Sequence, residues 1–130
     1  MSLASPGGRS GAVEAIERIL NRESEADVIL RQAVTVLAER LEAADWVGVA
    51  FVEEGALELG PAAGDVPAAA ARPSVHVPVR YRGTRVAEIW VGTAEVATTP
   101  DVEMLDRAAD LLSPYCLVGW DTGGEEWVNE

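Results

Sequence analysis

The sequence predicts an α+β fold, a central antiparallel sheet of about four to six strands with the N- and C-terminal helices packed on one face. Three observations carry that expectation. Helical periodicity is confined to the two ends of the chain, where apolar residues recur every three or four positions. Between them lie β-branched runs with period two, best developed over Pro73 to Glu95, PSVHVPVRYRGTRVAEIWVGTAE. With 130 residues there is room for one core.

Met1 to Gly11 is rich in Ser, Gly, Pro and Ala without periodicity and reads as a flexible lead, residues 1–11. Ala12 to Asn21 carries Val13, Ile16, Ile19 and Leu20, a short helical stripe. Ser24 begins SEAD, an N-cap pattern with an acid three residues later, and the helix it starts is expected to run to about Ala43. Its stripe is Leu30, Val34, Leu37 and Leu41; Ile29, Ala33, Val36 and Ala44 widen it enough to touch both a sheet and a second helix.

Asp45 to Glu53, DWVGVAFVE, is apolar on both faces, as a strand inside a covered sheet is. Glu54-Gly55 makes a turn, and Ala56 to Leu59 is a short returning strand. Gly60 to Arg72, GPAAGDVPAAAAR, reads as a loop over one face, with at most a helical turn at Ala68 to Ala71.

The hairpin follows. Val75, Val77, Val79 and Tyr81 share one parity and Ala87, Ile89 and Val91 another; they reach one face only if Tyr81 stands opposite Arg85. That leaves the loop Arg82-Gly83-Thr84, with Gly83 in the left-handed region. One face is then the ladder Val75–Val91, Val77–Ile89, Val79–Ala87, which wants helices; the other sets His76 opposite Trp90, Pro78 opposite Glu88 and Arg80 opposite Val86, and is either solvated or the floor of a pocket.

Thr99 is expected to cap the last helix, with Pro100 at its first position and Asp101 in its first turn. Val102, Leu105, Ala109, Leu112 and Cys116 form its stripe. Pro114 is expected to kink it or end it early, although the pattern resumes to Trp120. Residues 12–120 make the domain, and 121–130, DTGGEEWVNE, an acidic tail.

The net charge is −12, and all ten basic residues are arginine. That balance repels phosphate backbones and anionic lipid, so nucleic acid and membrane are not expected partners. No apolar run approaches the ~20 residues that cross a bilayer, and a single cysteine, Cys116, fits a reducing cytoplasm.

The order of elements and three stretches, ADWVGVAFVEEG after a long entry helix, HVPVRYRGTRVAEIWV, and the helix TTPDVEMLDRAADLL, resemble a GAF domain over roughly Ala12 to Trp120. Val77-Pro78-Val79, Gly83, Val86 to Val91 and Thr99 to Leu112 match the family pattern in order. The resemblance implies a sheet with the terminal helices on one side, a small-molecule site on the other, and dimerisation through the helices. It makes the face with His76, Glu88, Trp90 and Arg80 the ligand side. One departure stands out: the connection over that face is usually long and helical, and here it is GPAAGDVPAAAAR.

On this reading Trp90 stacks on a planar or cationic ligand, Glu88 pairs a cation, and His76 responds near neutral pH. The competing reading is an ordinary cross-strand pair, His76 with Trp90, and charge exchange between Glu88 and Arg80 on a wet face. Leu30, Val34, Leu37 and Leu41, with Val102, Leu105, Ala109 and Leu112, either form a dimer face or simply cover the sheet. Enzymes of this resemblance that reduce free methionine sulfoxide use an attacking and a resolving cysteine, whereas Cys116 is alone and on an apolar stripe. Trp46, Phe51 and Tyr115 read as core. One histidine and one cysteine on different faces do not make a metal site, and no phosphate-cradling glycine motif is present. The expected function is a stand-alone sensory or regulatory domain that binds a small molecule and signals through a homodimer. The alternatives are a ligandless interaction module and, third, a methionine sulfoxide reductase. The sequence names no cofactor.

Overall fold

A computed structural model describes residues 6–66, 73–94 and 97–117. The expectations for the first five residues, the Ala68 to Ala71 turn, the stretch Val118 to Trp120 and the acidic tail lie outside the described residues. Helix α1 (Pro6–Arg22) and α2 (Ala26–Arg40) precede strands β1 (Ala44–Glu53), β2 (Ala56–Gly64), β3 (Val75–Tyr81) and β4 (Thr84–Thr93), and α3 (Thr99–Cys116) follows. The four strands form one antiparallel sheet in the order β2-β1-β4-β3. The fold is α+β with helices before and after the sheet, as expected.

The core lies between the sheet and the helices. Val47, Val49 and Phe51 of β1, Val77 and Val79 of β3, and Ala87, Ile89 and Val91 of β4 are buried in it. α2 covers β1 and β2, α3 covers β3 and β4, and α1 packs outside them against both. α1 starts at Pro6, inside the expected lead. Where it meets α2, the Arg40 guanidinium lies over Gly11, and a Cβ there would sit 3.1 Å from Arg40 Nη1.

Several boundaries differ from expectation for identifiable reasons. Ser24 does not cap α2: the N-cap is Glu25, with no side-chain cap bond, and the helix stops at Arg40 rather than Ala43. α3 is capped by Thr98, one residue before the expected Thr99. Thr98 Oγ1 accepts from the Asp101 amide at 3.4 Å, and the Asp101 carboxylate accepts from the Thr98 amide at 3.0 Å and from Thr98 Oγ1 at 2.9 Å. Asp101 is fully buried, which a carboxylate tolerates only with such partners. α3 also runs through Pro114 to Cys116. The proline removes the amide that would reach the Asp110 carbonyl, and the Ser113 hydroxyl donates there instead, at 3.0 Å.

β2 continues past Leu59 to Gly64, through residues that read as loop. Its register against β1 shifts between Gly48 and Ala50, so that Gly60-Pro61 is accommodated in a bulge on an edge strand. The Phe51 ring lies over Gly60 and the Leu59 side chain over Gly48, where side chains would collide. The other edge, β3, carries Pro78 in mid-strand.

Candidate functional site

Strand alternation brings the candidate residues together on the face away from the helices. Five hairpin pairs fall as expected, Val75 opposite Val91 through Val79 opposite Ala87, with His76 opposite Trp90 and Pro78 opposite Glu88. The pairing then slips: Arg80 stands opposite Arg85, and Tyr81 opposite Thr84. The three-residue loop is therefore replaced by a two-residue turn, Arg82-Gly83, both with positive φ (52° and 84°) as a type I′ turn requires. A turn of this length and the apolar faces demand registers one residue apart. A bulge in β4 at Arg85-Val86 absorbs the difference.

The bulge has a chemical consequence. Along a regular strand, residues three apart point to opposite faces. Here the extra residue puts Arg85 on the face of Glu88, and Arg85 Nη1 donates to Glu88 Oε2 at 3.0 Å. The Trp90 indole Nε1 donates to Glu88 Oε1 at 2.8 Å, and His76 Nδ1 lies 3.7 Å from the same oxygen. Glu88 is 5% exposed, while the side chains of Arg85 and His76 are 48% and 63% exposed. Trp90 is half-buried. The site is thus a buried carboxylate with both oxygens engaged, ringed by partners that reach solvent.

His76, Glu88 and Trp90 are brought together, as sequence parity implied. Arg80 shares their face and is exposed, but the cation on Glu88 is Arg85, not Arg80. Strict alternation hides Arg85; the one signal in the sequence is its acid partner three positions on. Toward β1 the same face closes over apolar groups. Trp46 is 3% exposed and its indole lies over Gly92, leaving no room for a side chain there. Phe51 belongs to the helix-side core, whereas Trp46 is buried on the opposite face.

The stripe that reads as either a dimer face or a cover for the sheet lies largely inside the chain. Leu30, Val34, Leu37, Leu41, Leu105, Ala109 and Leu112 are buried in the core of a single chain, and Val102 is half-buried. Those side chains pack between the sheet and the helices of one chain. Cys116 is buried as well, and loss of hydration pushes its thiol up to about 12. Among the described residues no cluster of His, Cys, Asp or Glu is suited to a metal, and no helix is long and apolar enough to cross a membrane.

No family profile matches the chain, and no curated protein matches it in sequence. Its likenesses are to solved structures. A solved GAF domain superposes with a TM-score of 0.68 over 89% of this chain and 92% of its own, at 15% identity. The GAF domain of an Acinetobacter phosphoenolpyruvate-protein phosphotransferase gives 0.66 over 82% and 90%, at 12% identity. The fold is GAF-like. A type II free methionine-R-sulfoxide reductase from Thermoplasma acidophilum shares this GAF-like architecture, with a TM-score of 0.63 and 25% identity over 71% of this chain and 92% of that one. So does the reduced form of fRMsr of Staphylococcus aureus, at 0.70 and 15% over 89% and 99%. One GAF-like scaffold therefore spans GAF domains and free methionine-R-sulfoxide reductases, and fold alone does not choose between them.

Proposed function

We propose that this chain is a regulatory domain that binds a small molecule on the sheet face bearing His76, Glu88 and Trp90. The observation that carries the reading is the Glu88 carboxylate, buried yet set among the side chains of Trp90, Arg85 and His76 that open to solvent. Convergent polar groups beside an apolar floor are what a small-molecule site presents. The decisive experiment is mass spectrometry of freshly purified protein under native and denaturing conditions. A co-purifying mass lost on denaturation supports the reading and gives the ligand's size. Affinity for that ligand is expected to fall at least tenfold in Glu88→Gln and in Trp90→Ala; unchanged affinity in both would remove the site from this face.

A second reading, a ligandless interaction module, is favoured by one specific fact: both Glu88 oxygens already have partners within the chain. A bare chain mass in the native spectrum, with self-association in the same spectrum, supports it. A sulfoxide reductase draws support from the likeness to the Thermoplasma enzyme. Against it stand the burial of Cys116, a thiol kept protonated at neutral pH, and the lack of a second cysteine to resolve a covalent intermediate.

A further inference from the structure

We propose that Glu88 is a recognition carboxylate for a guanidinium-bearing small molecule, and that Arg85 occupies its place in the free chain. The inference rests on the ligand site argued above and names the chemical class of its occupant.

The structure already shows a guanidinium seated on this carboxylate, since Arg85 Nη1 donates to Glu88 Oε2 at 3.0 Å. A guanidinium is planar, always charged and more weakly hydrated than an ammonium, which suits it to a buried carboxylate beside an aromatic face, here through one oxygen because Trp90 holds the other. The seat is well formed. Glu88 is almost fully buried, Trp90 fixes the other oxygen with its indole N–H, and the ring of Trp90 offers a flat surface beside it. The plug is less well held. Arg85 is nearly half exposed, reaches Glu88 only through the β4 bulge, and has Arg80 as its direct cross-strand partner. Like charges set directly opposite each other on a sheet repel. Arg85 is thus drawn in by Glu88 and pushed off by its neighbour.

The charge balance decides what can replace it. Glu88 stripped of its cation would be a buried, uncompensated carboxylate, which is strongly unfavourable. A neutral or anionic ligand cannot displace Arg85 without incurring that cost; a guanidinium can, because it leaves the ion pair intact and frees Arg85 to water. Displacement also makes binding a competition between an external cation and a tethered one, so the unmodified chain binds more weakly than its carboxylate alone would.

The test uses the full chain and N-methylguanidinium chloride as the probe, with ionic strength held constant by sodium chloride. Binding is read by tryptophan fluorescence and by the rise of Tm with probe concentration. Arg85→Ala is expected to bind the probe at least tenfold more tightly than the unmodified chain, and to regain on binding the Tm it lost on mutation. Arg85→Gln, which keeps the chain length and a neutral donor, gives the same comparison should the alanine variant fold poorly. The double variant with Glu88→Gln is expected to show neither effect. Equal affinity with and without Arg85, or binding that survives Glu88→Gln, would overturn the proposal. The outcomes separate from those of the native spectrum. A co-purified ligand with no gain in the Arg85 variants overturns this proposal and leaves the ligand site standing, whereas a bare chain with a clear gain supports the guanidinium seat and counts against the co-purifying ligand.

Discussion

Cys116 sits on the buried stripe of α3, where its thiol is held far above its ordinary value, from 9.0 to about 12. A folded-state value raised above the unfolded one leaves stability intact below about pH 9 and erodes it as pH climbs toward 12, because only the unfolded chain releases the proton. Comparing unfolding free energies of the parent and Cys116→Ala, the variant's deficit is expected to shrink by about 2 kcal/mol between about pH 8 and 10.5. A constant deficit would mean the thiol is hydrated. The buried state of Cys116 was legible from its stripe. The partner of Glu88 was not, because face assignment by parity assumes an unbroken strand, and Arg85 is re-aimed by a bulge.

The β3–β4 hairpin shows the same limit one level up. Five of its pairs follow from matching apolar parities, since a one-residue slip would turn valines outward. The turn escaped because Arg82 occupies a left-handed position that asparagine or glycine fills more readily. Arg82→Asn, which creates the favoured Asn-Gly pair, is therefore expected to raise stability by about 0.5–1 kcal/mol in urea denaturation. A loss would show that the stacking of Arg82 on the Tyr81 ring, 5.2 Å from its centroid, outweighs the backbone strain. β2 was read short for a different reason. Gly60 to Gly64 lacks the branched side chains that announce a strand, and its conformation is imposed from outside by β1, whose Phe51 ring closes on Gly60.

For the molecule as a whole, the helix stripes are buried within a single chain. An apolar stripe has the same appearance in a sequence whether it meets a sheet or a second protomer. Leu37, fully buried among them, is expected to cost about 2–5 kcal/mol on replacement by alanine, measured by denaturant unfolding at several protein concentrations. A midpoint that moved with concentration would signal that the residue also supports association.

Among the described residues, the two outer strands of the sheet have a consequence for how this chain behaves when crowded. Each outer strand carries a proline, Pro61 in β2 and Pro78 in β3, and a proline cannot donate to an incoming strand. Neighbouring molecules are thus denied a continuous row of donors on either side, and strand-to-strand polymerisation into fibres is discouraged at both ends. Concentrated solutions of the folded chain are expected to stay free of cross-β material.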